Sequence, residues 1–226
     1  MSNTLHYYNM NAAAASAGYV AADMRKLHEW LLTVVPPRSR LLELGCGCGR
    51  EAIFLHRHGF DIIATDGSRE MLEQAAELFP ELKGRLQLLV LPSRFPFTDS
   101  SFDNVLALAM LMHLDPEAIN LVLLEIRRAL KPGGKLVVSV PTSRTGINGD
   151  GYDDKGRLFT QLPPKSWHEL AETCGLAFVS EIQSEDALGR KGIRWLNAVY
   201  SKATAGPAER TRKNQGNRDE VPGSKR

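Results

Sequence analysis

The chain contains 226 residues, of which 43% are hydrophobic and 24% charged, and its formal net charge is +2. These values are typical of a globular protein that buries a core, and they indicate no broad basic surface for duplex nucleic acid. The start of the chain lacks the layout of a signal peptide, and no apolar run approaches the ~18 residues of a membrane span. Its three cysteines suit a reducing compartment better than a disulfide framework, so we predict a cytoplasmic location without membrane association.

Two helices are predicted ahead of the first strand. The alanine-rich stretch over residues 11–17 favours a short helix, and residues 20–34 place apolar side chains at helical spacing. Pro36 and Pro37 end the second helix because proline disfavours helical backbone in the residue before it. The sequence therefore predicts a helical N-terminal cap over residues 1–36, followed by the main domain over residues 37–202.

The main domain opens with a strand that runs into three glycines at alternate positions. Leu41–Leu44 suits a buried strand, Gly45, Gly47 and Gly49 follow it, and a helical stretch begins at Glu51. Glycine has no Cβ, so backbone can approach a ligand closely at such a turn. The first N–H groups of the next helix have no partners inside the helix and can hold polar ligand groups. We therefore expect a binding site at this turn.

Strands and helices alternate along most of the remaining chain. Strands are predicted over residues 61–66, 86–91, 102–108, 135–140, 176–182 and 195–200. Helices are predicted after an N-cap at Ser68, over about residues 116–130 and over residues 165–174. This alternation predicts an α/β fold with a mostly parallel sheet and helices on both faces, and the last two strands, joined without a helix, predict an antiparallel edge.

Two segments show no such pattern. Residues 141–164 are polar and rich in glycine, and we predict a loop over one face of the domain. Residues 203–226 contain few apolar residues, no periodicity and more basic than acidic side chains, so we predict a disordered basic tail.

Three features fall at the predicted carboxyl ends of strands, where ligands bind in open parallel sheets. The first is the glycine turn. The second is Asp66, about twenty residues further on, because a carboxylate there can accept hydrogen bonds from both hydroxyls of a ribose. The third is the loop after Leu91, whose backbone and Phe95 can flank an adenine ring. Together they predict a cofactor that contains a nucleoside.

The spacing of the glycines favours one cofactor class over another. A dinucleotide fold requires the pattern G-x-G-x-x-G, and in that register Arg50 occupies the place of the third glycine. An acid, Glu43, lies two positions before the first glycine, where it would repel a pyrophosphate and attract a cationic amino-acid group. The pattern therefore favours S-adenosylmethionine over NAD.

Four stretches resemble the class I S-adenosylmethionine-dependent methyltransferases: Leu-Glu-Leu-Gly-Cys-Gly-Cys-Gly-Arg, Ala-Thr-Asp-Gly-Ser, Phe-Pro-Phe-Thr-Asp-Ser-Ser-Phe-Asp and Arg-Arg-Ala-Leu-Lys-Pro-Gly-Gly-Lys-Leu. The resemblance covers about residues 5–201. It is strongest to bacterial single-domain members that open with Tyr-Tyr-Asn-x-Asn-Ala and end with Gly-Arg-x-x-x-Arg-Trp-Leu-Asn. It implies a Rossmann-like, seven-stranded, mostly parallel sheet whose last strand is antiparallel.

The resemblance also implies which residues bind the cofactor: Glu43, Gly45, Cys46, Gly47, Gly49, Asp66, Gly67, Met71, Ser93, Arg94 and Ala109. In this family the acid and the glycine turn face the methionine part, and Asp66 binds the ribose hydroxyls. Gly67 and Met71 lie beside the adenosine, and the loop at Ser93 and Arg94 frames adenine. Ala109 lies near the reactive sulfonium. Many members also carry a Gly-Asp pair after the third strand, where this chain has Val-Leu, so its adenine must be held by backbone and packing.

His113 is the titratable group nearest to the expected methyl position. It can act as a general base, orient the acceptor, or serve only as a structural cap after the fourth strand. The preceding stretch lacks the Asn/Asp-Pro-Pro-Tyr run of methyltransferases that act on exocyclic base nitrogens, which argues against DNA-base methylation. The Cys46-x-Cys48 pair has no further cysteine or histidine at ligand spacing, so no metal site is predicted.

Side chains near both ends of the domain leave two interpretations open. Tyr7, Tyr8 and Arg25 either close over the cofactor or pack the N-terminal helix. Arg190 and Trp195, with Arg194 beside them, either line the acceptor pocket or belong to the core and surface.

The sequence thus predicts an S-adenosylmethionine-dependent methyltransferase that acts on an unidentified small-molecule acceptor. Two alternatives remain. One is an RNA or protein methyltransferase recruited by the basic tail, and the other is a non-catalytic module that binds S-adenosylmethionine. The oligomeric state is not predicted.

Overall fold

A computed structural model of the protein describes residues 2–204. Within them the strands are β1 (Arg40–Leu44), β2 (Asp61–Asp66), β3 (Leu86–Leu88), β4 (Phe102–Leu108), β5 (Leu130–Ser143), β6 (Leu176–Glu185) and β7 (Arg194–Lys202). They form one sheet in the order β3-β2-β1-β4-β5-β7-β6. Strands β1 to β5 pair in parallel, and β7 is antiparallel to both β5 and β6. The prediction of a Rossmann-like, seven-stranded, mostly parallel sheet with an antiparallel last strand is confirmed.

The α-helices are α1 (Asn3–Val20), α2 (Arg25–Val34), α3 (Arg50–Arg57), α4 (Arg69–Leu78), α5 (Pro116–Ala129) and α6 (Pro164–Thr173). Three of them, α1, α4 and α5, begin at side-chain caps. The Ser68 hydroxyl accepts a hydrogen bond from the N–H of Met71, and the Asp115 carboxylate accepts one from the N–H of Ala118. These caps satisfy donors that a helix start leaves unpaired, and they fix where α4 and α5 leave the sheet.

Helices cover both faces of the sheet. On one face, Leu42 and Leu44 of β1 pack in a core with the apolar side of α5 and with α6. On the other face, Leu41 packs with α2 and α3. Burial on both faces explains why the inner strands are apolar at successive positions rather than at alternate ones. The sheet is therefore a rigid platform, and its carboxyl edge carries the loops.

Several strands differ from their predicted extents, among them β3 and β5. Strand β3 ends at Leu88, three residues before the predicted end, although the N–H of Leu89 still donates to the carbonyl of Asp66 at 2.9 Å. Strand β5 starts at Leu130 rather than at residue 135, because residues 131–134 bulge between two of its pairs with β4. Turn-forming Pro and Gly residues thus lie inside the strand as a bulge rather than ahead of it.

Helix α1 is longer than the predicted stretch at residues 11–17. It spans 18 residues and bends at Asn11, whose backbone angles (φ −124°, ψ 19°) are not helical. Its buried residues are small or polar, Thr4, Ala12 and Ser16. The helix packs against α4 and also reaches the loop after β5, since the Thr4 hydroxyl accepts a hydrogen bond from the N–H of Leu158 at 2.8 Å. It therefore covers the carboxyl edge of the sheet.

The predicted cap over residues 1–36 contains α1 and α2, and the sheet and the other helices lie within residues 37–202. The predicted disordered tail over residues 203–226 lies, after Thr204, outside the described residues. Over residues 2–204, none of the helices combines the length and the apolar character that crossing a membrane requires.

Candidate active site

A cavity of about 1360 Å³ opens at the carboxyl ends of the parallel strands. The residues that follow β1, β2, β3 and β4 all line it, as do Ser139 and Pro141 of β5. The strand order reverses between β1 and β4, which is the place where open α/β sheets bind their ligands. The cavity is therefore the candidate active site.

Bare backbone forms the floor of the cavity beside β1. Gly45 and Gly47 line it. Their φ angles of 67° and 55° lie in a backbone region that residues with a side chain rarely adopt. A Cβ on Gly45 would lie 2.5 Å from the Cβ of Met110, so no side chain fits there. Cys46, between the two glycines, also lines the cavity. At this turn the backbone faces the cavity, as the predicted close approach to a ligand requires.

Gly49 has a different role from the other two glycines. It does not line the cavity but forms the start of α3, with a φ of 78°. A Cβ there would lie 2.9 Å from Leu82 Cδ1 and 3.2 Å from the Cβ of Ala75. Gly49 therefore allows α3 to pack closely against α4 and its neighbours, and its contact with the cofactor stays a prediction.

Asp66 lies at the end of β2 and lines the cavity together with Gly67 and Met71. Its two carboxylate oxygens accept hydrogen bonds from the N–H groups of Gly47 and Ser68, both at 2.8 Å. A carboxylate has about four acceptor positions, so two remain for hydroxyl groups of a ligand. Burial raises the pKa of Asp66, and these N–H donors oppose that shift. The glycine turn and the predicted ribose-binding acid are thus directly bonded.

Glu43 lies behind the cavity wall rather than on it. The register of β1 and β2 places its side chain on the same face of the sheet as that of Asp66. Glu43 is only 2% exposed, however, and its Oε2 is buried without a hydrogen-bond donor among the described residues. Burial, with a smaller contribution from the nearby Glu51, raises the pKa of Glu43 well above its usual value. Glu43 is thus a buried acid beneath the glycine turn, and its place against the methionine part of the cofactor stays a prediction.

Apolar residues form the cavity wall after β3. Leu89, Val90, Leu91 and Pro92 line the cavity, and the chain then turns away. Ser93 and Arg94 are exposed outside the cavity, and the Ser93 hydroxyl donates to the carbonyl of Val90 at 2.7 Å. Phe95 is 2% exposed and packs in the core below α5. Because β3 ends early, the apolar residues after it form this wall, and the adenine contacts of Ser93 and Arg94 stay a prediction.

Ala109, just past β4, lines the cavity opposite the glycine turn. Its φ of 55° is unusual for a residue with a side chain, and its N–H donates to the carbonyl of Ser139 at 2.8 Å. A non-glycine residue in this region costs about 1–3 kcal/mol and persists only where its surroundings enforce it. The backbone after β4 is therefore held in one defined conformation where it lines the cavity.

His113 lies on the cavity wall in a hydrogen-bonded chain that links three parts of the fold. Its Nδ1 lies 2.7 Å from the carbonyl of Leu158, and its Nε2 lies 3.1 Å from the hydroxyl of Tyr8. A carbonyl only accepts, so Nδ1 carries the proton, and Nε2 of the neutral ring accepts from the Tyr8 hydroxyl. The oxygen of Tyr8 in turn lies 3.2 Å from the Tyr19 hydroxyl. The chain ties α1 and the loop after β5 to the end of β4.

Burial lowers the pKa of His113 to about 4. The ring is therefore neutral near pH 7 and only weakly basic, and its free lone pair already accepts a hydrogen bond from Tyr8. A general base works best with a pKa near the operating pH, which this environment does not provide. Of the predicted roles, we therefore favour the one in which His113 orients groups around the acceptor.

The buried state of His113 predicts a specific loss of stability in acid. The unfolded chain takes up a proton near pH 6.5 and the folded chain only near pH 4, so the unfolded state binds more protons between these values. Stability should therefore fall as the pH is lowered through this window, by about 3 kcal/mol in total for this group. We expect the stability advantage of wild type over His113→Gln, measured by urea unfolding, to shrink from pH 7 to pH 4. A constant difference would contradict the assignment.

The loop after β5 contributes an ion cluster that the sequence did not reveal. Asp153, whose side chain is 1% exposed, accepts hydrogen bonds from Nε and Nη2 of Arg157 at 2.9 and 2.6 Å. The guanidinium of Arg157 also lies 4.9 Å from the centre of the Tyr7 ring, and Arg144 lies 4.0 Å from that of Phe159. The only signal was the Asp-Asp-Lys-Gly-Arg turn, whose Asp and Gly favour a tight bend.

Of the residues near the two ends of the domain, some line the cavity and others pack elsewhere. Tyr8 lines the cavity and contacts His113, whereas Tyr7 packs under Arg157. Arg25 and Arg190 line the cavity too, each paired with an aspartate two to four residues away. Trp195 lines the cavity rather than only filling the core.

The cysteines beside the glycine turn are buried thiols. Burial raises the pKa of both Cys46 and Cys48, so both are protonated near neutral pH. Within residues 2–204, no group of three or more His, Cys, Asp or Glu side chains is placed to hold a metal ion.

Comparison with known proteins identifies the central part of the domain. A family model described as a methyltransferase domain matches residues 42–138. A malonyl-[acyl-carrier protein] O-methyltransferase of Herminiimonas arsenicoxydans is 30% identical over 203 residues, which cover 83% of this chain and 66% of that protein. A hybrid PKS-NRPS synthetase of Trichoderma harzianum is 28% identical over 169 residues, but these cover only 4% of its length. The chain thus spans only part of these curated relatives.

Solved structures share the fold at lower identity. The 1,6-didemethyltoxoflavin-N1-methyltransferase of Burkholderia thailandensis, solved with 1,6-didemethyltoxoflavin and S-adenosylhomocysteine bound, superimposes with a TM-score of 0.74. The alignment covers 89% of this chain and 88% of that one at 20% identity. It therefore includes almost all of the described elements.

Proposed function

Because this chain belongs to the class I S-adenosylmethionine-dependent methyltransferases, we propose that it transfers a methyl group from that cofactor to a small-molecule acceptor. The observation that carries the proposal is the pairing of Asp66 with the backbone of Gly47 at the edge of a deep cavity.

The three cysteines are unpaired, which supports the predicted cytoplasmic location.

The residues beside β1 and β2 suit S-adenosylmethionine. The glycine turn leaves backbone bare on the cavity wall, and Asp66 retains acceptor positions for ribose hydroxyls. The apolar wall of Leu89, Val90 and Leu91 suits the faces of an adenine ring. The buried Oε2 of Glu43 lacks a donor, which is what a buried acid below a ligand's N–H groups would show.

The protein's own contribution to the reaction is alignment and the exclusion of water. When bound, the cofactor supplies a methyl group already activated by its attachment to a sulfonium. The chain has to hold the acceptor in line with that group. Holding the reactants in the correct orientation removes much of the barrier in such reactions. Helix α1 and the loop after β5 close the cavity through Tyr8, Leu158 and Phe159. The hydrogen bond of Ala109 to Ser139 fixes the backbone after β4. The His113 ring packs edge-on against the ring of Phe159 on the side left for the acceptor.

The acceptor is the part of the proposal that depends on the relatives. The Herminiimonas relative is named a malonyl-[acyl-carrier protein] O-methyltransferase, and the Burkholderia enzyme is named a 1,6-didemethyltoxoflavin-N1-methyltransferase. Both names support a compact organic acceptor rather than duplex nucleic acid. Turnover of S-adenosylmethionine to S-adenosylhomocysteine in the presence of a metabolite extract would test this. Turnover with RNA alone would favour the alternative, and binding without any turnover would favour a non-catalytic module.

Removing the carboxylate of Asp66 should weaken cofactor binding. Hydrogen bonds to a charged group contribute about 1.5–3 kcal/mol, so Asp66→Ala should raise the dissociation constant for S-adenosylhomocysteine at least tenfold. Asp66→Asn keeps one acceptor oxygen, so its dissociation constant should lie between those of wild type and Asp66→Ala. Asp61→Ala, at the exposed opposite end of the same strand, is the matched control. Calorimetric titration gives all four values, and equal affinities would show that Asp66 does not bind the ribose.

A further inference from the structure

Three guanidinium groups line the cavity on the side of β5, those of Arg144, Arg157 and Arg190. Two buried carboxylates lie among them, Asp153 and Asp186, whose side chains are 1% and 2% exposed. Three positive charges against two negative ones leave this cluster with a net charge of +1. A charge that is taken out of water without a partner is costly, so the excess positive charge requires an explanation.

Both carboxylates are committed to other partners. Asp186 accepts from Nε and Nη2 of Arg190 at 3.0 and 2.6 Å and also from the indole N–H of Trp195 at 3.0 Å. Asp153 accepts from Nε and Nη2 of Arg157 at 2.9 and 2.6 Å. Each acid therefore forms a two-pronged pair with one arginine, and neither pair includes Arg144.

Arg144 is the member of the cluster without a full partner. Its side chain is 11% exposed, and its one hydrogen bond from the guanidinium is a long 3.4 Å contact from Nη2 to Asp153. Its Nε is buried with no acceptor among the described residues. Burial and the neighbouring Arg190 and Arg157 lower the pKa of Arg144. An almost buried guanidinium with unused N–H donors is costly unless a ligand completes it.

The position of Arg144 separates it from the cofactor side of the cavity. It follows β5, whereas Asp66 ends β2, and the sheet places β1 and β4 between these strands. The ring of Phe159 supports the guanidinium from below at 4.0 Å. Glu185 also lines the cavity, but it forms no ion pair with Arg144 in the described part of the chain. The unused donors are therefore on the side left for the acceptor.

We propose that Arg144 binds an anionic group of the methyl acceptor, a carboxylate or a phosphate. This inference rests on the proposed function and specifies its substrate class. A planar guanidinium matches two oxygens of either group, and the anion would neutralise the excess charge of the cluster. Phe159, Ile182 and Trp195 line the cavity around Arg144 and supply apolar surface for the rest of the acceptor. The acceptor class is thus a small organic anion with an apolar body.

Binding of three matched probes to protein saturated with S-adenosylhomocysteine tests this. Phenylacetate and phenyl phosphate carry the two candidate anions on an apolar ring, and phenylacetamide is the neutral counterpart. We expect calorimetry to show at least one anion binding about tenfold or more tighter than phenylacetamide. The better anion identifies whether a carboxylate or a phosphate is recognised.

Variants locate the interaction. Arg144→Gln should weaken binding of the better anion about 10- to 100-fold, as expected for loss of charge-assisted hydrogen bonds. Arg144→Lys keeps the charge but loses the planar pair of N–H donors. Its affinity for the better anion should lie between those of wild type and Arg144→Gln. Arg94→Gln, an exposed arginine outside the cavity, is the matched control and should bind as wild type does. All variants should bind S-adenosylhomocysteine normally, which also shows that they are folded.

The inference is overturned if neither anion binds wild type, if phenylacetamide binds equally well, or if Arg144→Gln and Arg144→Lys both leave anion binding unchanged. Each of these results leaves normal binding of S-adenosylhomocysteine, and hence the proposed function, intact. Loss of S-adenosylhomocysteine binding by wild type itself would instead contradict the proposed function.

Discussion

Replacing Asp153 by asparagine should lower the free energy of unfolding by about 3–5 kcal/mol, the typical cost of leaving a buried charge without its partner. The carboxylate is nearly inaccessible and pairs with Arg157 through two short hydrogen bonds. Its other oxygen accepts from the N–H groups of Lys155 and Arg157 at 3.1 and 2.9 Å, which fixes the turn. An amide cannot neutralise the guanidinium, and its NH₂ group would face these donors.

Asp99→Asn is the matched control for this prediction. Asp99 also pairs with an arginine, Arg128, at 2.8 Å, but its side chain is 73% exposed. An exposed ion pair is worth about 0–1 kcal/mol, so this variant should unfold almost as wild type does. Urea unfolding of the three proteins at pH 7 gives the comparison. Similar small losses for both variants would show that the loop after β5 is not anchored by its ion cluster.

Replacing Gly45 by alanine should lower stability by about 2–5 kcal/mol and abolish high-affinity cofactor binding. A residue with a side chain pays about 1–2 kcal/mol for the left-handed backbone at φ 67°. The added Cβ would also lie 2.5 Å from the Cβ of Met110, and forcing extra atoms into a packed site costs about 1–3 kcal/mol more. The turn and the chain after β4 would have to separate, which changes the floor of the cavity.

Gly59→Ala separates the two contributions. Gly59 has a φ of 83°, but a Cβ there would meet no atom within 4 Å. It should therefore lose only the backbone contribution and should bind S-adenosylhomocysteine as wild type does. Thermal or urea unfolding together with titration measures both effects. If Gly45→Ala were no worse than Gly59→Ala, the close packing of Met110 on the turn would be wrong.

Local patterns in the sequence predicted the sheet and the turn because these depend on short-range rules. Alternation of apolar strands with helical stretches gave the layers, and the glycines after Leu44 gave the turn. The position of Asp66 followed from the strand that it ends, since the carboxyl ends of parallel strands share one edge.

The remaining parts of the site depend on contacts between distant segments. Whether Glu43 faces the cavity or lies beneath it is decided by how α3 packs on the sheet, which periodicity does not show. The wall beyond β3 shifted because the strand pairing ends at Leu88. Arg144 lies in a loop without periodicity, and only the folded chain brings its guanidinium to the Phe159 ring and near Tyr8.

The most direct test of the account is a calorimetric titration of the purified chain with S-adenosylmethionine and, separately, with NAD. The bare turn at Gly45 and Gly47 and the carboxylate of Asp66 predict saturable binding of one S-adenosylmethionine per chain and no measurable binding of NAD. Saturable binding of NAD without any binding of S-adenosylmethionine would contradict the account.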